Sequence, residues 1–392
     1  MTSTIGVKKI QYPNGIDSIT IDSSGSAAIT TANITTANVT NATATGTINT
    51  PSINGGQIGG RRNIVINGAM QVAQRGTSFT SVAGSAYHLD RFRTGMGDTT
   101  ARFTVTQATA ALNGFANSLK YDCTTAESSL SNAGARLFIQ HRLEGQDLQQ
   151  LKKGTSDAEK VTVSFYVKTN KSGVYTVELY DVDNTRSISQ TITVSDANWN
   201  RYTLTFDGDT TGTLDNNNAN SLDLIIHLIA GTTYTGGTFS TSWSSATENT
   251  RVSSSNVNIG DSTDNNFEIT GVQLEVGSQA TPFEHRSFGE ELALCQRYYQ
   301  VKNGSYHPGN AVGSNKINAG FTFPVSFRAT PSTPPNVSVH RSGNQTVTAS
   351  IDSVVCSGDR SSGSIRFVGH SVSDETAYNV YISGNLELDA EL

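Results

Sequence analysis

The stretch ITGVQLEVGSQATPFEHRSFGEELALCQRYY, from Ile269 to Tyr299, decides how the chain is read. Its first half alternates like a strand. Just upstream, Phe267 shares a parity with Ile269, but Val272, Leu274 and Val276 have the other. Successive strand side chains point to opposite faces. A parity change within one run therefore predicts an inserted residue, a β-bulge, at Thr270-Gly271. From Ser287 the reading changes to helix. SFGE carries the S-x-x-E capping box, with Ser287 as N-cap and Glu290 as its reciprocal partner. A cap contributes roughly 1 kcal/mol, and a helix this short is marginal alone in water, so packing must hold it. A β-domain therefore ends here, passes through a neck helix over 287–300, and is followed by more strand-like sequence.

Upstream, residues 61–286 read as one large β-domain. VTVSFYVK places Val161, Val163, Phe165 and Val167 on one face. VYTVELY offers Tyr175, Val177 and Leu179, and RYTLTF offers Tyr202, Leu204 and Phe206. LDLIIHLI offers Leu222, Leu224, Ile226 and Leu228, with Ile225 and Ile229 behind, as in a central strand. Turn clusters such as KTNKSG and DGDTTG separate these runs, a spacing that predicts an antiparallel sandwich. Downstream, residues 301–392 read as a second β-sandwich. FTFPVSF puts Phe321, Phe323, Val325 and Phe327 on one face, and Pro324 on the other suits an edge strand. TVTASI, SIRFVG and AYNVYI supply further strands.

Residues 1–60 follow another pattern. Ile29, Ile34 and Val39 fall five apart, Ala44 holds the next slot, and Ile48, Ile53 and Ile58 resume the period. An odd spacing flips alternate side chains of a plain strand, so the chain must turn about every five residues if these share a core. Too few repeats are present for a self-supporting pentapeptide coil. A polar linker is one alternative. Asn33, Asn38 and Asn41 also match glycosylation acceptors, a reading set aside because no signal peptide precedes them. An oligomeric fibre shaft, with several chains stacking Ile and Val on an axis, is the reading adopted.

The composition agrees with β-structure rich in turns. Of 392 residues only 15 % are charged and 35 % apolar, with a net charge of −6. A mildly acidic chain without Lys/Arg runs lacks the footprint of a nucleic-acid binder. No apolar run approaches the roughly 20 residues of a membrane helix, and MTSTIGVKKIQYPNG has no apolar signal region. Cys123, Cys295 and Cys356 are odd in number and widely spaced, which predicts three free thiols made in a reducing cytoplasm.

NIVINGAMQVAQRGTSF (Asn63 to Phe79), followed by Asp90-Arg91-Phe92, resembles the opening of β-sandwich modules in bacteriophage tail fibre and tail tip proteins. Those modules look like carbohydrate-binding jelly rolls. The Ile269–Tyr299 run resembles the end of the same module, and FTFPVSFRATPS (Phe321 to Ser332) resembles the start of the tip domain that often follows. The resemblance covers about residues 61 to 335. It implies a trimeric fibre of the virion, made in the host cytoplasm. Such a fibre docks other tail or baseplate proteins through its N-terminus and recognises a host surface polysaccharide or lipopolysaccharide. A structural calcium is compatible with it, though no ligand set can be assigned.

The sequence offers little catalytic chemistry. It contains no G-x-S-x-G, H-E-x-x-H, P-loop or CxxC pair. Asp207-Gly208-Asp209 with Gly212 has the head of a calcium loop, but position 218, where the closing Glu belongs, is Asn. Asp181 and Asp183 flank a turn, and Glu290 and Glu291 are explained by the helix dipole. The expectation is a non-catalytic binder, with a purely structural fibre or connector, or a glycan depolymerase, as alternatives. Sugar binding uses aromatic faces and a few polar groups. The candidates are Trp243 in a polar loop, with Tyr306, His307, His340 and Arg341 in the tip, whereas Trp199 reads as a strand-start residue. Phe288, Leu292, Cys295 and Tyr299 are spaced four, three and four, one apolar stripe expected to clasp a trimer; Leu294 and Tyr298 form a second patch.

Overall fold

The computed structural model describes residues 9–11, 17–21, 27–28, 61–312, 315–333, 336–341, 345–368, 377–383 and 385–392. The chain falls into two compact units, Met1–Thr50 and Pro51–Leu392. In the first, β1 (Lys9–Gln11), β2 (Asp17–Ile21) and β3 (Ala27–Ala28) form an antiparallel three-stranded sheet. The period-five block from Ile29 to Ile58 lies outside the described residues.

The second unit begins with a sandwich of thirteen strands. In chain order these are β4 (Ser78–Val82), β5 (Ala86–Leu89), β6 (Phe92–Gly97), β7 (Arg102–Leu112), β8 (Phe115–Thr125), β9 (Arg136–Glu144), β10 (Val161–Thr169), β11 (Gly173–Asp181), β12 (Arg186–Val194), β13 (Asn200–Phe206), β14 (Asn220–Ala230), β15 (Ser244–Ser245) and β16 (Asn266–Val276). A one-turn helix α1 (Thr232–Thr235) follows β14. The six-stranded sheet runs β13-β10-β16-β8-β7-β4 and the seven-stranded sheet β15-β12-β11-β14-β9-β6-β5. Every pairing of these named strands is antiparallel. The chain crosses between sheets after β4, β6, β8, β9, β10, β12, β13 and β15, so neighbours within a sheet are mostly distant in sequence, as in a jelly roll.

The alternating runs face each other across the two sheets. Val163, Phe165 and Val167 of β10 meet Tyr175, Val177 and Leu179 of β11, all fully buried in one core with Phe206, Leu224, Phe267 and Leu274. The bulge lies where the parity changes. Ser164 pairs with Gln273 but Tyr166 pairs with Thr270, which leaves Gly271 and Val272 opposite Phe165 alone. Gly271 has φ +63°, a conformation that favours glycine. The extra residue returns Val272 and Leu274 to the core face that Phe267 and Ile269 already occupy; all four are fully buried.

The neck helix α2 (Phe288–Gln296) begins at the predicted N-cap, the Ser287 hydroxyl accepting from the Glu290 N–H. The Glu290 side chain pairs with Arg61. The helix is shorter than expected, because β17 (Tyr299–Lys302) takes over the backbone to pair with β24 (Leu386–Asp389). The apolar stripe is thereby divided. Phe288 is 57 % exposed. Leu292 is half-buried against Ile66, Val72, Cys295 and Tyr298. Cys295 and Tyr299 are fully buried within their own chain. This corrects the clasp expectation for those two side chains, whose surfaces are already covered by the sandwich and the barrel.

Between β17 and β24 lie β18 (Ser305–Ala311), β19 (Lys316–Thr322), β20 (Asn336–Arg341), β21 (Gln345–Cys356), β22 (Ser362–Val368) and β23 (Ala377–Ile382). They close into a barrel, β18-β19-β22-β21-β20-β23, where a second sandwich was expected. Phe321, Ile365, Phe367 and Ile382 fill it. Pro324 lies past the end of β19 and so is no strand residue.

The motifs that carry the family resemblance meet at the neck. Asn63 donates to the Val272 carbonyl and its side-chain oxygen accepts from the N–H groups of Val65 and Leu274. The Asn67 N–H donates to Glu291 at 2.6 Å, and its side-chain amide to the carbonyls of Val72 and Asp90. Arg91, 1 % exposed, lies over the Tyr298 ring and pairs with Glu391. Sandwich, neck and the segment after β24 are thus tied by one buried polar set, costly to break because each group would be left unpaired.

Candidate functional site: a cleft on the seven-stranded sheet

The outer face of the seven-stranded sheet carries a cleft of about 300 Å³. Its floor is a grid set by register. Gln140 of β9 lies between Arg93 of β6 and Ile225 of β14, and Ile225 lies opposite Glu178 of β11. One step along, Phe138 lies opposite Gly95 and His227; on the other side Asp223 lies opposite Arg142 and Tyr180. A β-carbon on Gly95 would stand 2.0 Å from the Phe138 ring. Glycine there lets that ring lie flat across β6. The loop after β14 forms one wall, with Tyr234 of α1, Glu248 and Arg251 facing in.

Nearly every polar group in the cleft is held. Arg251 makes a two-pronged pair with Glu178, at 2.7 and 3.0 Å, and lies 4.6 Å over the Tyr180 ring. His227 Nε2 lies 3.0 Å from Oε2 of the same carboxylate, the oxygen that Arg251 Nη2 also bonds. Burial pushes the Glu178 carboxyl up, and the bonds from His227 and Arg251 more than reverse this, so it is held below the usual range. Asp223 accepts from the amides of Gln140 at 2.7 Å and Asn220 at 2.9 Å; burial dominates there and raises its pKa. Arg136 donates to Asp98 and to the Tyr234 hydroxyl. The cleft therefore offers aromatic faces on Phe138, Tyr180 and Tyr234 beside planar polar groups in fixed directions.

The residues singled out from sequence lie elsewhere and do not converge. Trp243 is half-buried. Its indole N–H donates to the Asp207 carbonyl at 2.6 Å, and its ring covers the Lys153 ammonium at 4.6 Å. That ammonium donates to Asp181, to Asp209 at 2.9 Å and to the Gly212 carbonyl at 3.0 Å. Of the two acids that suggested a calcium loop, Asp209 is thus bound by Lys153 and also by Arg186, while Asp207 pairs with Lys160 at 2.7 Å. This corrects the reading of Trp243 as a free sugar platform: one face is taken by a structural cation. Trp199 donates to the Ala110 carbonyl and bridges strands.

In the barrel, Tyr306 and His307 point to opposite faces. Tyr306 is 72 % exposed, its ring 4.7 Å from that of Tyr381. His307 turns inward, with its ring 3.9 Å from Phe321 and Nε2 2.8 Å from the Ser305 hydroxyl. It therefore fills space within the wall, and burial lowers its pKa. His340 and Arg341 occupy β20 opposite Tyr381 and Val380; their side chains lie outside the described residues. The cleft residues were missed because Asp223 and His227 stand in LDLIIHLI, read as a central core strand, while Arg136, Phe138 and Gln140 stand in RLFIQHRLE, a run to which the sequence reading assigned no strand. The available signal was the polar parity of RLFIQHRLE and LDLIIHLI, and the alternate glycines of FRTGMG.

The fold and the cleft define a jelly-roll β-sandwich with a polar-aromatic groove on one sheet. No protein-family model matches the sequence, and no curated protein matches it. Among solved structures the chain is similar to one described as CBM4, at 11 % identity and TM-score 0.29, covering 54 % of this chain and 99 % of that one. It is also similar to the family 11 carbohydrate-binding module of a cellulosomal cellulase of Clostridium thermocellum, at 12 % identity and TM-score 0.25, covering 51 % and 99 %. A third is a xylan-binding domain from Paenibacillus barcinonensis, at 13 % identity and TM-score 0.24, covering 51 % and 100 %. The architecture described above rests on this chain's own strand pairing.

Proposed function

We propose that this chain is a non-catalytic, glycan-binding fibre protein of a bacteriophage virion, and that the cleft on the seven-stranded sheet takes a host surface polysaccharide or lipopolysaccharide. The observation that carries the glycan reading is the lining of that cleft. Phe138, Tyr180 and Tyr234 offer faces for sugar C–H groups, beside amides, guanidinium groups and carboxylates held in fixed directions. A non-catalytic role is favoured because the cleft's carboxylates are committed. Glu178 is bound by Arg251 and His227, and Asp223 by two amides. Both act as fixed acceptors. The virion setting is supported by the sequence resemblance at residues 63–79, 269–299 and 321–332. In this reading the protein is a homotrimer docked to the tail through its N-terminal segment, and Phe288 is the clasp residue still open to a symmetry mate.

The test is binding of the full-length protein to polysaccharide extracted from candidate hosts, with Tyr180→Ala beside the native protein. The variant should bind at least about tenfold more weakly, the loss of about 1.4 kcal/mol, with an unchanged melting temperature. Absence of binding by the native protein to any host polysaccharide would leave the structural connector as the better reading. Release of reducing ends would overturn the non-catalytic role.

A further inference from the structure

Resting on the glycan-binding reading of the cleft, we infer that its ligand is an acidic saccharide, one bearing a carboxylate, and that Arg93 is the group that reads the charge. Arg93 stands on β6 at the cleft floor. Its side chain's one hydrogen bond among the described residues is a donation to the Gln140 side-chain oxygen at 2.9 Å, and it has no ion pair there. The nearby carboxylate that would otherwise pair with it is diverted. Gln140 turns its amide nitrogen to Asp223 at 2.7 Å, and Asn220 takes the other oxygen at 2.9 Å. Asp223 is thus satisfied by neutral amides, with Gln140 standing between it and Arg93.

Arg142 lies two residues along β9 on the same face. It donates to the main-chain oxygen of Leu392 and has no carboxylate side chain in salt-bridge range among the described residues. The other two arginines of the cleft are matched, Arg136 with Asp98 and Arg251 with Glu178. That end of the cleft therefore holds two guanidinium groups, Arg93 and Arg142, without a side-chain salt bridge among the described residues, and the Asp223 carboxylate attracts both only from behind its amide partners. Burial and then the Arg142 charge oppose protonation of Arg93, Tyr87 and Asp223 favour it, and the balance falls below the usual range, a crowding that an entering anion would relieve. A guanidinium with its fork open accepts a carboxylate through two parallel bonds, and the adjacent Phe138 and Tyr180 faces would take the sugar ring that carries it.

The experiment uses the full chain, calorimetry, and a set of acidic polysaccharides such as polygalacturonate and alginate oligomers, each beside its carboxyl-reduced form. The acid form should bind at least about tenfold more tightly than its reduced counterpart, as expected for one charge-assisted contact, and the advantage should shrink with added salt. Arg93→Gln should remove most of the preference, weakening the acid form several-fold more than the reduced form; Arg93→Lys should retain part of it. Equal affinity for the two forms, or an Arg93→Gln loss that falls on both alike, overturns the inference and leaves the glycan reading standing. Binding to neither form of any member, with Tyr180→Ala without effect, removes the glycan reading and this inference together.

Discussion

Deleting Gly271 tests the feature on which the sandwich depends. In β16 this residue supplies the offset by which Phe267 and Ile269 on one side, and Val272 and Leu274 on the other, all reach one core. Without it, a strand of fixed pleat must turn one pair outward. Val272 and Leu274 are fully buried. Exposing both forfeits about 1.5–3 kcal/mol each, or about 3–6 kcal/mol together, against the roughly 5–15 kcal/mol that holds a domain. In a domain of this size 1 kcal/mol moves the midpoint by roughly 2–4 °C, so the deletion should melt roughly 6–24 °C lower. Gly271→Ala keeps the residue count and isolates the local cost. Its β-carbon would meet Phe115 at 2.8 Å and Tyr166 at 2.9 Å, at φ +63°. The backbone term alone is about 1–2 kcal/mol, so the drop should be the smaller of the two. Both tryptophans, Trp199 and Trp243, lie in the sandwich, and intrinsic fluorescence therefore reports the relevant melt. A deletion variant melting within roughly 2 °C of the native protein, or one more stable than Gly271→Ala, would refute the bulge argument.

Three further outcomes are expected. Lys153→Met leaves Asp181 without its cation in the core edge, beside an Asp209 that keeps Arg186; with the lysine side chain 4 % exposed, the loss should be about 3–5 kcal/mol by urea denaturation, and Lys153→Met with Asp181→Asn should recover much of it. Stability should fall on mild acidification. Burial, and then Arg75, lower His88 from 6.5 to about 4, so between those values the unfolded chain binds a proton that the folded chain refuses; the loss is up to about 3 kcal/mol, and His88→Gln should reduce the slope in that window, with buried His141, also lowered, supplying the rest. The three unpaired thiols differ in access: Cys356 is half-buried while Cys123 and Cys295 are buried, and burial pushes the Cys295 thiol well up. A thiol reagent should modify Cys356 first and the other two only on denaturation; a disulfide-linked multimer would contradict this.

Much of the scaffold was legible in the sequence because strand and cap signals are local. The period-two runs, the parity change at Thr270-Gly271 and the Ser287 cap each depend on a few adjacent residues, and each is found where those residues placed it. The sequence by itself also marked the segments that hold the neck, since Asn63, Asn67, Asp90 and Arg91 stand in the motifs that resemble fibre modules. Partnership was decided only by tertiary structure. A stripe of apolar residues at helical spacing states that a face is covered and not by what; Cys295 and Tyr299 are covered by their own chain. Two acids before a glycine state that a cation is near and not which; here Lys160 holds Asp207 and Lys153 holds Asp209. The barrel needed the pairing of β18 with β23, separated in sequence by nearly the whole domain. The cleft lay furthest from view. Its residues come from β6, β9, β11, β14 and a distant loop, and only the crossing of the chain between sheets sets Arg93 beside Gln140 and Glu178 beside Arg251. Parity says that these side chains leave the core, but which of them meet is a property of the long-range register.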